Sequence, residues 1–223
     1  LEATRAAILK VKNGQHRWER DAMVSDTAEL PWTLLACLLR VAAKNGRSAL
    51  RVIDFGGSLG STYYWVRPFL AADIDLSWTV VEQPAHVAVG KADFENEELR
   101  FASTIQEALT SGVPDVLLIS GVLHFLPDPE AFLEELRQWE IPHLILDREP
   151  LWGHAHHRLT IQHVPPEIYA ASYPSWFLSR ERILSSLQRD YDILWAAPDT
   201  EAWEIDGESV PNTTYFFRLK TET

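Results

Sequence analysis

Cysteine is almost missing from this chain. Cys37 stands alone among 223 residues, so no intrachain disulfide can form, and a cytoplasmic setting is the default expectation. Cys37 lies inside an apolar helical pattern and reads as a small buried residue. Long hydrophobic runs are missing too. The longest candidate, 30–43, is broken by Pro31, Thr33 and Arg40 and cannot supply the roughly 18 apolar residues that a membrane span needs. No membrane association is expected, and no secretory leader is visible. Positive charge is scarce: 20 Lys and Arg oppose 32 Asp and Glu, giving a formal net charge of -12. Non-specific nucleic-acid binding requires a basic footprint, so nucleic acid is excluded as a partner. An acidic surface argues for solubility and names no partner. Internal repeats and low-complexity linkers are absent.

What is present suits a folded enzyme-sized domain. The chain is 46% hydrophobic, enough for a sizeable core in one large domain or a domain with a short appendage. Residues 1–30 are polar and mixed. Helical spacing from Trp32 to Ala43 ends at Asn45-Gly46, a good stop. Short β-rich runs follow at 50–55, 78–82, 99–102, 115–120 and 143–147. An aromatic, helix-like stretch spans 62–70. Asp128-Pro129-Glu130 opens a helix as N-cap, first-turn proline and first-turn acid, and Ser179 caps another. Two final strands, 191–196 and 214–219, have no strong helix between them and are expected to pair antiparallel. Strands alternating with helices predict an α/β fold with a mostly parallel sheet covered on both faces.

The most informative feature follows the first of the 50–147 runs. Asp54-Phe55 leads into Gly56, Gly57, Ser58 and Gly60. Glycines there allow a sharp turn and close approach of backbone to ligand, and ligands in open α/β sheets bind beyond the carboxyl ends of strands. Glu82 ends the next strand, at the distance where an acid can accept hydrogen bonds from ribose hydroxyls, and Gln83 adds a polar group beside it. A dinucleotide would require G-x-G-x-x-G. Gly57 and Gly60 match its last two glycines but Phe55 occupies the first, so an NAD-dependent dehydrogenase is the weaker alternative.

At these residues the chain resembles class I S-adenosylmethionine-dependent methyltransferases. VIDFGGSLG is similar to their first motif, VVEQPAHV to the second, and LLISGVLHFLPDPEAFLEEL to their fourth-strand region. Over nearly the whole chain, DFGGSLG, SGVLHFLPDP, LILDREP and RLTIQHVPPEIYAASYPSWFLS resemble a family of bacterial methyltransferases often linked to polysaccharide or other biosynthetic loci. The resemblance implies a Rossmann-like seven-stranded sheet with an antiparallel edge hairpin, an N-terminal helical cover over 1–46, and a cofactor-binding domain over 47–223. It implies S-adenosyl-L-methionine as cofactor. The amino-acid end would sit on the glycine loop with Asp54 orienting its ammonium, the ribose on Glu82, and Ser120 and Gly121 along its length. Two departures stand out. Ser58 replaces the middle glycine of the usual pattern. The third strand lacks the acid that commonly reads adenine, leaving Ser103 and Thr104 for that contact.

Methyl transfer requires an acceptor atom held about 3–3.5 Å from the methyl carbon, in line with the leaving sulfur. A hydroxyl acceptor also needs a general base, usually histidine. His124, just after the fourth of these strands, is the first candidate. The second lies in the loop of His154, His156, His157 and His163, of which His157 is chosen. No cysteine and no acid at diagnostic spacing accompanies that cluster, so no metal site is expected. Arg148, Gln162, Tyr169 and Tyr173 are candidate contacts for a small-molecule acceptor, a sugar or specialised metabolite methylated on oxygen or nitrogen. Pro165, Pro166 and Pro174 would stiffen a lid-like segment. A homodimer is left open, and a non-catalytic cofactor-binding regulatory domain is the alternative function.

Overall fold

The computed structural model describes residues 1–27, 31–44, 49–71, 74–164 and 171–221, the side chains of Lys44 and Thr200 excepted. They form two compact units, Leu1–Ile119 and Ser120–Thr223.

The first unit begins with α1 (Glu2–Lys12), a hairpin of β1 (Trp18–Arg20) and β2 (Met23–Ser25), and α2 (Trp32–Lys44). It continues through β3 (Ala49–Phe55), α3 (Ser61–Val66), β4 (Asp75–Val81), α4 (Pro84–Asp93), β5 (Leu99–Ala102), α5 (Ile105–Leu109) and β6 (Val116–Ser120), whose last residue opens the second unit. β3 pairs in parallel with β4 on one side and β6 on the other, and β4 pairs in parallel with β5. The strand order therefore reverses at β3, which places the switch point, where open α/β sheets bind ligands, at the loop 56–60. Val52, Ile53, Trp78, Val80 and Leu117 are all buried, as expected for parallel strands covered on both faces. In α2, Leu34, Leu38 and Val41 are buried at helical spacing while Trp32 and Leu39 stay exposed, an amphipathic face that follows directly from the 3.6-residue period. Residues 1–44 of the expected cover belong to this unit, and they are not all helical. Arg5 of α1 binds Asp93 at the end of α4 at 2.6 Å. The β1–β2 turn is Asp21-Ala22, both at positive φ, the shape that a two-residue hairpin with right-handed strands requires. No Asn-Gly or Asp-Gly marks that turn, which is why it escaped sequence reading.

The second unit contains α6 (Pro129–Leu136), β7 (His143–Glu149), β8 (Leu151–Trp152), β9 (Arg158–Val164), β10 (Ala171–Ser179), α7 (Arg180–Leu187), β11 (Tyr191–Ile205) and β12 (Glu208–Leu219). β12 pairs antiparallel with both β7 and β11. The two last strands thus pair as expected but run further than 191–196 and 214–219. Register shifts between Ile193 and Trp195 and between Pro198 and Ala202 absorb residues that read as strand breakers, and Asp206-Gly207 at φ 51° and 81° closes the hairpin. Asp128 accepts from Ala131 N at 2.9 Å with Pro129 behind it, and Ser179 caps α7. The lid-like segment consists in its described part of two antiparallel strands, β9 and β10. Pro174 is accommodated because β8 pairs only with Leu178 and Ser179, leaving the other edge of β10 open at the proline. Pro165, Pro166 and Tyr169 lie outside the described residues. Among the described residues, no helix is long and apolar enough to cross a membrane.

Candidate active site

The glycine loop of the first unit has a backbone that its sequence explains residue by residue. Gly56, Ser58 and Gly60 have φ of 74°, 54° and 93°, a region that favours glycine. Ser58, which stands where the usual pattern has a glycine, itself takes a left-handed conformation that favours glycine. Gly57 is required for a different reason. A Cβ there would lie 2.4 Å from Asp54 Oδ2. Asp54 is 1% exposed, and the Trp78 indole donates to its Oδ2 at 3.1 Å. The carboxylate is therefore fixed against the bare face of Gly57.

Glu82 closes the loop from the neighbouring strand. Its Oε1 accepts from Ser58 N at 3.2 Å and its Oε2 from Gln83 N at 2.7 Å. The acid at the end of β4 and the loop after β3 are thus one hydrogen-bonded unit. Gln83 itself is the residue before α4, and its side chain makes no capping hydrogen bond. The Ser103-Thr104 pair has a local task. Thr104 Oγ1 accepts from Glu107 N at 3.0 Å, while Glu107 Oε2 accepts from Ser103 N at 2.8 Å. This reciprocal capping box starts α5, so the Thr104 hydroxyl is already engaged in holding a helix.

In the second unit a histidine–carboxylate pair sits below the surface. His124 Nδ1 lies 2.8 Å from Glu149 Oε2, and the two side chains are 3% and 0% exposed. Glu149 Oε1 also accepts from Val122 N and Leu123 N, both at 3.1 Å. A carboxylate accepting on both oxygens fixes the tautomer: Nδ1 carries the proton and donates it, and Nε2 presents its lone pair. The His124 ring packs at 4.0 Å on Phe125, whose ring meets Tyr173 edge-on at 5.3 Å. Tyr173 is the cross-strand partner of Gln162, and Gln162 Oε1 is buried with no partner among the described residues. His124, Tyr173 and Gln162, widely separated in sequence, are therefore neighbours in one cluster.

The other predicted residues fall elsewhere. Arg148 has φ 55°; its Nε donates to Ser120 Oγ at 3.2 Å, and Ser120 Oγ donates to Asp147 Oδ2 at 2.6 Å. Arg148 is thus engaged by Ser120 and by Asp147, 3.5 Å away. Gly121, at φ 62°, donates its N–H to Asp147 O at 2.8 Å. His157 is committed on both ring nitrogens: Nδ1 accepts from Ser179 N at 2.8 Å, and Nε2 donates to Glu130 at 3.1 Å. A ring held that way has no lone pair left for a substrate proton. His154 pairs separately with Glu208, so these two members of the histidine loop diverge. Glu149, Phe125 and Trp203, whose ring meets that of His124 edge-on at 6.0 Å, were not among the sequence candidates. Glu149 was readable only as the end of an apolar strand, and its pairing with His124 needs the fold to exist.

With these features in place, comparison with known proteins is informative at the level of architecture. No family model and no curated protein matches the sequence. Solved structures do. One is the glycopeptide N-methyltransferase MtfA complexed with sinefungin: 12% identity, 84% of this chain and 94% of that one, TM-score 0.53. Another is magnesium protoporphyrin IX methyltransferase from Synechocystis with bound S-adenosylmethionine: 13% identity, 99% and 98% coverage, TM-score 0.52. A third is an S-adenosylmethionine-dependent methyltransferase from Clostridium acetobutylicum: 11% identity, 97% and 98% coverage, TM-score 0.58. The fold is that of the S-adenosylmethionine-dependent methyltransferases. Within that fold, the loop 56–60 and Glu82 stand at the carboxyl ends of β3 and β4, and the residues fit an amino-acid nucleoside. The loop is shaped by left-handed residues and by one glycine with no room for a side chain, and an acid is held at its rim.

Proposed function

We propose that this chain transfers a methyl group from S-adenosyl-L-methionine to an oxygen or nitrogen of a small molecule such as a sugar or specialised metabolite. The observation that carries the reading is the Ser58 N–H to Glu82 bond in a loop of glycine conformations, within a methyltransferase fold. When bound, the cofactor supplies an electrophilic methyl on a sulfonium sulfur. Glu82 would accept from the ribose hydroxyls, Asp54 would orient the ammonium, and the loop would hold the amino-acid end. Ser120 and Gly121 belong to the same reading. Gln83, Ser103 and Thr104 are its weakest members, Thr104 because its hydroxyl caps α5.

For the acceptor, His124 is the base. Its Nε2 takes the proton from an attacking hydroxyl, or from an ammonium group so that the freed amine can attack, and the positive ring that results is stabilised through Nδ1–H by Glu149. Tyr173 and Gln162 would contact the acceptor. The similar structures are named for a glycopeptide and for magnesium protoporphyrin IX, which supports a small-molecule acceptor without choosing one.

Calorimetric titration with S-adenosylhomocysteine tests the reading. Saturable binding is expected, and Glu82→Ala should weaken it about tenfold, the loss of one charge-assisted hydrogen bond or more. No binding at high micromolar ligand would refute the proposal.

A further inference from the structure

We propose that the first unit carries a second small-molecule site, built for a planar aromatic carboxylate, in the cavity walled by α1, residues 16–26 and the far end of α3. The cavity measures about 590 Å³, within the range of small-ligand pockets. Tyr63, Tyr64, Trp65 and Phe69 supply aromatic walls, and Val11 of α1 closes one side.

It is not an extension of the glycine loop. Tyr63 Oη donates to Glu98 Oε2 at 2.9 Å, and Glu98 immediately precedes β5, at the amino end of that strand. The glycine loop and Glu82 lie at the carboxyl ends of β3 and β4. α3 runs between the two, with Ser61 next to the loop and Arg67 beyond its other end.

The charges decide the ligand's chemistry. Three residues charged at neutral pH, Arg17, Asp26 and Arg67, line the cavity together with His16. Arg67 is spent on Glu98, with two bonds of 2.7 and 2.8 Å. Asp26 is spent on His16 Nδ1 at 3.2 Å and on Arg17 N at 3.1 Å. The Arg17 guanidinium has no hydrogen-bonding or ionic partner among the described residues. One uncommitted cation beside aromatic faces complements a flat ring bearing a carboxylate. Guanidinium binds carboxylate through paired N–H groups and stacks on rings.

The test is a calorimetric titration of the full chain with indole-3-acetate, alone and with saturating S-adenosylhomocysteine. Expected is one saturable site below about 1 mM that persists when S-adenosylhomocysteine is present. Arg17→Gln should weaken it about tenfold or more. Indole-3-acetamide, which keeps the ring and lacks the charge, should bind the wild type about as weakly. Arg17 is exposed, so the variant should keep the wild-type melting temperature. Absence of saturation, binding indifferent to Arg17, or displacement by S-adenosylhomocysteine would each overturn the site. Failure of S-adenosylhomocysteine to bind would refute the methyl-transfer reading and leave this proposal standing on its own titration.

Discussion

Replacing Gly57 by alanine probes the glycine loop most directly. The added Cβ would sit 2.4 Å from Asp54 Oδ2 and 2.5 Å from its Cγ, far inside contact distance. Asp54 cannot swing away freely, because it is buried and held by the Trp78 indole. Relief means either breaking that bond or bending the loop. Losing a buried hydrogen bond costs about 1–3 kcal/mol, and overpacking adds roughly 1–3 kcal/mol. The sum, about 2–6 kcal/mol, converts to a fall in melting temperature of roughly 4–24 °C for a chain of this size. Affinity for S-adenosylhomocysteine should fall at least about tenfold, since the loop that holds it moves. Differential scanning calorimetry and titration calorimetry measure both. A double-mutant cycle isolates the cause: in an Asp54→Ala background the alanine at 57 has room, so its cost should shrink by at least about 1 kcal/mol. The argument is refuted if Gly57→Ala melts within about 2 °C of wild type, or if its cost is the same with and without the Asp54 carboxylate.

Other consequences are independent of that clash. Ser58→Gly relieves a left-handed serine but frees the unfolded chain, and the two effects nearly cancel; its melting temperature should stay within about 2 °C of wild type, and a larger drop would show that the hydroxyl has a structural task. Glu149→Gln would face His124 Nδ1–H with an amide N–H, driving the ring proton to Nε2. Nitrogen NMR of the histidine ring should report that tautomer change, and with an acceptor in hand kcat should fall about 10²-fold or more while S-adenosylhomocysteine affinity holds. An unchanged tautomer would sink the assignment of Glu149 as the positioning residue. Glu19 links the β1–β2 hairpin to α3, accepting from Ser61 Oγ at 2.6 Å and Ala22 N at 2.7 Å. Burial pushes its carboxyl above the ordinary value of 4.5, with the Ser61 and Ala22 hydrogen bonds opposing the shift. The folded state then holds the proton more tightly than the unfolded chain. Stability from this group is therefore full below the unfolded pKa and is lost as pH rises through the folded one. Glu19→Gln should flatten that part of the pH dependence in urea unfolding, and an unaltered slope would contradict the shift.

Much of the molecule was legible from local chemistry. The glycine loop, the acid at Glu82 and the Asp128 and Ser179 caps depend on residues close in sequence, where backbone conformation and hydrogen-bond reach are set by a few neighbours. The strands of the parallel sheet were visible for the same reason: burial on both faces leaves an unbroken apolar run. The two hairpin turns were not, because Asp21-Ala22 is an unfavoured pair for such a turn and Asp206-Gly207 was hidden behind Pro198 and Asp199, which a register shift absorbs.

The site divided along the same line. Sequence offered His124 as the first candidate and His157 as the second, both histidines in plausible places. Only the tertiary structure distinguished them. His157 has both ring nitrogens occupied, by Ser179 N and Glu130, whereas Glu149, 25 residues beyond His124, reaches its Nδ1 and leaves Nε2 open. The aromatic cavity beside α3 was equally invisible, because it is made from the spaces between α1, the segment 16–26 and α3. A sequence specifies which groups can donate, accept or turn. Which of them are left without a partner is decided when distant segments pack, because partnership depends on distance in space.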